Sequence, residues 1–386
     1  MPKPKALLVA AAAAYSLSTL FSAMKPILLT RLVEQLGLNE ALAGLVVAMP
    51  FVGLACAALC VRWFVARFSY RALLWIFSAA LVGCELVCAV AYKHTAIVLG
   101  AQLIAGISVG VLMGLMSRMI THHPERDEMF GFVDMIAVLL MSLMIAVIGQ
   151  AVGWSGLQGG YLSAAAIGSV LTIIMLLAPV NETTAIPACT TNTGIELTMN
   201  IQAIATVAMG VLFVTSSGLG FSFMFTLAQN LDMNYASASR QIGTLLFVSA
   251  IACWVGGWCS GRFGPRRPLA CAFVTCGLGW HIAINTSNPQ VFLLALVPAV
   301  FSLQFCFPIF LAISADLDRT GHWASVATPL LTSGFAWAAI SAGYIVERSG
   351  LPTLATATVA GMLACSLLLL LTRPKPTDRP LSASAT

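Results

Sequence analysis

Charge is what this sequence has least of: 19 Lys and Arg and 14 Asp and Glu among 386 residues, or 9%. A soluble domain carries about 25%. The chain therefore cannot cover itself with a water-facing shell, and its 59% of hydrophobic residues belongs in a membrane. No strand-like alternation runs through the apolar stretches, which excludes a membrane barrel. The sequence has no G-x-x-x-x-G-K loop, so nothing points to a nucleotide as energy source. With no catalytic triad and no zinc signature either, no enzyme activity, cofactor or metal site is expected. The net charge of +5 is spread over short gaps between apolar runs and forms no patch of the kind that binds nucleic acid. The eleven cysteines are odd in number and sit mostly inside apolar runs, as at Cys56, Cys60, Cys84, Cys88 and Cys253. That excludes a disulfide framework and reads as small apolar packing.

What is present is length. A crossing helix takes about 20 apolar residues, and such runs fall near 7–29, 40–61, 72–92, 96–119, 129–151, 158–179, 201–229, 235–257, 268–286, 290–314, 323–345 and 351–372. The first run continues to Pro26 and reads as an uncleaved span rather than a secretory signal. A polar, threonine-rich stretch divides the series. The expected fold is all-α and integral to the membrane: twelve transmembrane helices as two pseudo-symmetric six-helix bundles, 1–179 and 201–372. A cytoplasmic linker at 180–200 joins them, and 373–386 forms a disordered tail. Fourteen Lys and Arg then fall on the side of both termini and four on the other. Basic loops stay inside, so both termini are expected in the cytoplasm, in a bacterial inner (plasma) membrane.

One stretch repeats. Gly257 to Arg267 reads G-W-C-S-G-R-F-G-P-R-R, three glycines and three arginines in what is expected to be a tight turn. Arg67, Phe68 and Arg71 lie 195 residues before Arg262, Phe263 and Arg266. Two six-helix halves, a central linker and a basic hairpin after the second helix of each half resemble the major facilitator superfamily. Its loop motif, roughly G-x-x-x-D-R-x-G-R-R, is matched by Gly257, Arg262, Gly264 and Arg266, with Gly261 at the acidic position and Pro265 in an arginine slot. The first half keeps Arg67 and Arg71, with Ala66 at the acidic position. The resemblance implies a secondary transporter whose halves rock about a midplane cavity, with these loops as a cytoplasmic gate. Since both motif acids are missing, partners for the arginines are expected from Glu125, Asp127, Glu128, Asp316 and Asp318. Two exporter signatures fail: Gln102 precedes Gly106 where an arginine is usual, and Gly149 to Trp154 lacks the usual proline.

Ionisable groups inside a span cost several kcal/mol unless paired, so each is a candidate site. Glu85, Asp134 and His281 are the candidates for proton coupling, set against structural roles as a helix–helix bond, a partner for a loop arginine and a satisfied histidine. Tyr15, Thr19 and Ser22 share a helix face that leads to Lys25, which can either offer a cation to an anionic substrate or snorkel to the interface. The resemblance makes helices one, four, seven and ten cavity walls. Gln102, Ser216, Phe221 and Gln304 then line the substrate cavity, and Trp337 belongs to a similar stripe in helix eleven. Methionines such as Met113 and Met116 read as packing, not copper ligands. The expected function is export of a small organic compound by proton antiport through alternating access. The alternative is an importer or uniporter of a small organic acid, which Lys25 and the broken exporter signatures favour. Substrate, protons and the lipid bilayer are the expected partners, and the protein is expected to be a monomer.

Overall fold

The computed structural model describes residues 4–121, 126–178, 201–316 and 322–371, and their regular structure is entirely helical. The elements are α1 (Pro4–Leu36), α2 (Glu40–Arg67), α3 (Tyr70–Ala91), α4 (Thr95–Thr121), α5 (Arg126–Leu177), α6 (Ile201–Ser222), α7 (Met224–Asn230), α8 (Tyr235–Ser249), α9 (Ile251–Phe263), α10 (Arg266–Asn285), α11 (Pro289–Asp316) and α12 (His322–Leu371). Among the described residues, ten helical stretches are long and apolar enough to cross a membrane. They are apolar on all sides, as helices must be when one face meets protein and the other lipid. Asn39 caps α2 by accepting from the Leu42 amide at 2.9 Å, and Ser69 caps α3 from Ala72 at 3.3 Å.

Two elements are far longer than one crossing. α5 has 52 residues and α12 has 50, roughly 75 Å each at 1.5 Å per residue, against a hydrocarbon core of about 30 Å. Each breaks once. In α5 the break is Ser155 (φ −130°, ψ 15°) and Gly156 (φ 63°, ψ −148°); in α12 it is Gly350 (φ 76°, ψ 175°). A side chain at either glycine would meet the left-handed penalty that glycine escapes. The expected span at 235–257 is instead two helices, α8 and α9, meeting at Ala250, and the one at 201–229 divides at Phe223 into α6 and α7. The turn after α9 is also tighter than the sequence implied. Helix α9 runs to Phe263 and α10 starts at Arg266, so the chain reverses on Gly264 (φ 73°) and Pro265 alone, and Gly257 lies inside α9.

Packing repeats along the chain. α1 lies along α5, and α6 lies along α12; α3 packs on α4 and α5, and α10 packs on α11 and α12. The two sets meet through α2 on α12 and through α5 on α8 and α9. The α2–α12 crossing is close enough to need glycine on both sides: a Cβ at Gly44 would stand 2.7 Å from the Ala339 carbonyl oxygen, and one at Gly343 would stand 2.7 Å from that of Glu40. Large apolar side chains such as Trp75, Val90, Leu294 and Leu367 cover the outside, while Lys25, Glu85 and Asp134 are buried.

Candidate functional site

The feature that sets the interior apart is the Lys25 ammonium. Its side chain is 1% exposed, and among the described residues Nζ has no hydrogen-bond partner. Three phenyl rings surround it instead, with centroids at 4.7 Å (Phe335), 5.8 Å (Phe51) and 5.8 Å (Phe221). Lys25 and Phe51 come from α1 and α2, Phe221 and Phe335 from α6 and α12, so segments on both sides of the 180–200 stretch build the cage. The rings support one another, Phe51 on Phe335 at 5.5 Å and Phe221 on Phe335 at 6.0 Å. Ring faces attract a cation, but they give none of the three N–H donors an acceptor. A buried charge in this condition is costly. An anion lodged here would satisfy it.

Beside Lys25 lies a small cavity with room for about one water. Gln102 and Tyr161 line it together with Phe21, Met24 and Pro50. Gln102 turns away from it to donate to both oxygens of Glu85 on α3, at 3.1 and 3.3 Å, with Cys88 Sγ also at 3.3 Å. Glu85 is thus held on the far side of an amide whose residue shares a cavity wall with Lys25. The Tyr161 hydroxyl is buried with no hydrogen-bond partner among the described residues, and Gln304 is buried in α11.

Nearer the end of the bundle that carries Arg67 and Arg262, a second polar layer ties the two sets of helices together. The Tyr15 hydroxyl bonds Ser117 Oγ at 2.8 Å and also Thr328 at the start of α12. Asp134 on α5 accepts from the Cys253 thiol on α9. Each buried hydrogen bond removed costs about 1 kcal/mol, so Tyr15→Phe, which removes two, is expected to lower stability in a thermal or denaturant melt by about 1–2 kcal/mol. It should also speed labelling of a cysteine placed above the layer from this end.

The remaining expected residues are scattered. Thr19 bonds the carbonyls of Ser16 and Ala137 at 3.0 and 3.2 Å, and so faces α5 rather than the cage. Ser22 is buried in α1. Ser216 bonds its own helix at Leu212 (2.7 Å) and abuts Gly361, which puts it in the packing between α6 and the far part of α12. Trp337 is 59% exposed and lies off the interior. His281 is also exposed; its neighbour Trp280 is fully buried and donates Nε1–H to Ser217 at 3.2 Å. One residue rotates a helical position by about 100°, enough to take His281 out of the bundle.

At the basic hairpins, Arg67 stacks on Trp63 (4.3 Å) and Arg262 on Trp258 (5.5 Å) within their own helices. Arg71 and Arg266 follow in the next helix, at or next to its first residue. The acids expected to meet these arginines cannot be placed: Glu125 and Asp318 lie outside the described residues, as do the side chains of Asp127, Glu128 and Asp316. Sequence reasoning missed Phe51, Phe335, Ser117, Thr328 and the contact of Asp134 with Cys253. It also passed over the pair Trp63 and Trp258, which the 195-residue shift relates as it does Arg67 and Arg262.

Among solved structures the chain is similar to a D-xylose–proton symporter (TM-score 0.74, 14% identity, covering 96% of this chain and 98% of that one). It is also similar to the nucleoside transporter NupG (0.70, 13%, 95% and 98%) and to the human organic anion transporter MFSD10 (0.68, 14%, 96% and 100%). At such identity the likeness concerns the fold. No curated protein matches the sequence. The family model of the Major Facilitator Superfamily matches residues 6–328, and the chain belongs to that superfamily of membrane transporters.

Proposed function

We propose that this protein is a secondary transporter of small organic anions, with Lys25 as the cation that meets the acidic group of the substrate. One observation carries the reading: a fully buried ammonium without a hydrogen-bond acceptor among the described residues, caged by rings from both parts of the chain. A neutral substrate would leave that ammonium as bare as before, which favours an anion over the export of a neutral compound. The phenyl walls suit an apolar body behind a single acidic group.

In this reading the breaks at Gly156 and Gly350 divide α5 and α12, so twelve spans form six-helix bundles at 1–179 and 201–372. The basic end is cytoplasmic, in agreement with the fourteen-to-four distribution of Lys and Arg. The Tyr15 and Asp134 layer is then the inner closure, the α2–α12 crossing the outer one, and alternating access opens them in turn. Glu85 is the proton carrier of this scheme. Its bond to Gln102, which shares a cavity with Lys25, supplies a short route between proton and anion.

The test is substrate and proton flux in liposomes with an imposed pH gradient, screening aromatic and aliphatic monocarboxylates. Wild type is expected to move carboxylates together with protons. Glu85→Gln is expected to abolish the dependence on the gradient while leaving exchange of labelled for unlabelled substrate, and Lys25→Ala to stop both. Carboxylate flux that persists in Lys25→Ala would sink the anion reading. Unchanged proton coupling in Glu85→Gln would remove Glu85 from it.

A further inference from the structure

We infer that the outer face of α9, α10 and α11 holds an anionic phospholipid, its headgroup on the arginines of the 262–267 hairpin and its acyl chain in an apolar groove. The groove has a volume of about 570 Å³ and lies where these three helices diverge. Phe263 and Arg267 stand at its mouth, Cys271 and Thr275 run along α10, and Phe301 and Phe305 form the α11 wall. The polar groups of its floor are already satisfied, since Thr275 Oγ1 and Ser302 Oγ are bonded at 2.7 Å and Thr275 also donates to backbone carbonyls of α10. An acyl chain therefore leaves nothing polar unpaired there.

The mouth has the opposite character. Arg262, Arg266 and Arg267 crowd the hairpin, and the chain has no Asp or Glu between Asp232 and Asp316. Among the described residues, none of the three has a carboxylate partner; Arg262 has only the rings of Trp258 and Phe263, at 5.5 and 6.0 Å. Trp258 is half exposed and lies against the Phe263 ring at 6.1 Å, and tryptophan settles at the headgroup level of a bilayer. Arg267 lines a groove open to lipid, Arg262 lies against Phe263 of the same lining, and Arg266 adjoins Arg267 in the chain, a set that matches a phosphate with a chain beneath it. The proposal does not depend on what the transporter carries.

Native mass spectrometry of the delipidated full chain, titrated with dioleoyl phosphatidylglycerol and dioleoyl phosphatidylcholine, tests it. The anionic lipid is expected to bind about fivefold or more tightly than the zwitterionic one. Arg267→Gln should remove that preference, Arg267→Lys should retain most of it, and Arg67→Gln at the other hairpin should leave it intact. Cys271→Trp, which fills the groove from an exposed position, should weaken phosphatidylglycerol binding with every arginine in place. Glycerol 3-phosphate should fail to displace the lipid at equal concentration. Equal binding of the two lipids, the same loss in Arg67→Gln as in Arg267→Gln, no effect of Cys271→Trp, or displacement by glycerol phosphate would each overturn the inference.

Discussion

Lys25→Met is expected to make the empty protein more stable and the transporter inactive. Methionine keeps the length of the side chain and removes a charge that has no acceptor among the described residues. Replacing even a buried ion pair by apolar groups of similar volume is often neutral or stabilising by roughly 1–4 kcal/mol, and a buried charge without an acceptor is costlier still, a gain offset in part here by the lost attraction of three rings. An apparent Tm higher by about 2–5 °C in detergent is the expected reading. Transport moves the other way. Deleting one partner of a buried, hydrogen-bonded charge pair costs about 2–5 kcal/mol, so carboxylate uptake should fall at least about 30-fold. Lys25→Arg keeps the charge but must fit a planar guanidinium between Phe51, Phe221 and Phe335, and partial activity is expected. A stability gain together with a loss of function marks a residue kept for its ligand. A structural lysine would lose both.

Gly44→Leu should jam the molecule by a purely steric route. The Cβ alone would sit 2.7 Å from the Ala339 carbonyl oxygen, and backbone cannot yield as a flexible side chain can. Overpacking of this kind costs about 1–3 kcal/mol. That cost falls only on states in which α2 and α12 touch, shifting the population away from them by roughly 5- to 160-fold. Uptake should drop by a similar factor, and a cysteine replacing Val47, which lines the cavity beside Lys25, should label faster from the Gly44 end. Gly343→Leu is expected to behave alike, from the other helix. Gly100→Leu is the control, because a Cβ there meets nothing within 4 Å, and it should transport as wild type does. Equal loss in all three variants would show that added bulk, not this crossing, is what the protein fails to tolerate.

Much of the framework was legible in the sequence because lipid demands it locally. Scarce charge and apolar runs of crossing length identify the membrane class, and the expected gaps at 152–157 and 346–350 contain Gly156 and Gly350, the positive-φ glycines that break α5 and α12. Lys25 stood out as a cation within an apolar run. Its surroundings did not. Phe51 and Phe335 are two of twenty phenylalanines, most of them in apolar stretches, and only the tertiary approach of α1, α2, α6 and α12 selects them. His281 shows the same limit at finer scale, since depth along a helix says nothing about which way the residue turns, and Trp280 holds the interior position instead. The arginine hairpins were visible as charge, but their tryptophan platforms needed the 195-residue comparison extended four residues further back. Ser216 and Thr19 look like cavity residues because hydroxyls are rare in apolar helices. Both satisfy themselves on nearby carbonyls, which is how most hydroxyls in such helices are spent.

The most direct measurement is a thermal-shift titration of purified protein with monocarboxylates and with their uncharged amide isosteres, repeated on Lys25→Met. If Lys25 receives an organic anion, carboxylates raise the Tm of the wild type in a saturable way, the amides do not, and the variant responds to neither. Equal stabilisation of wild type and Lys25→Met by the carboxylates, or a wild-type response to the amides as large as to the acids, would contradict it.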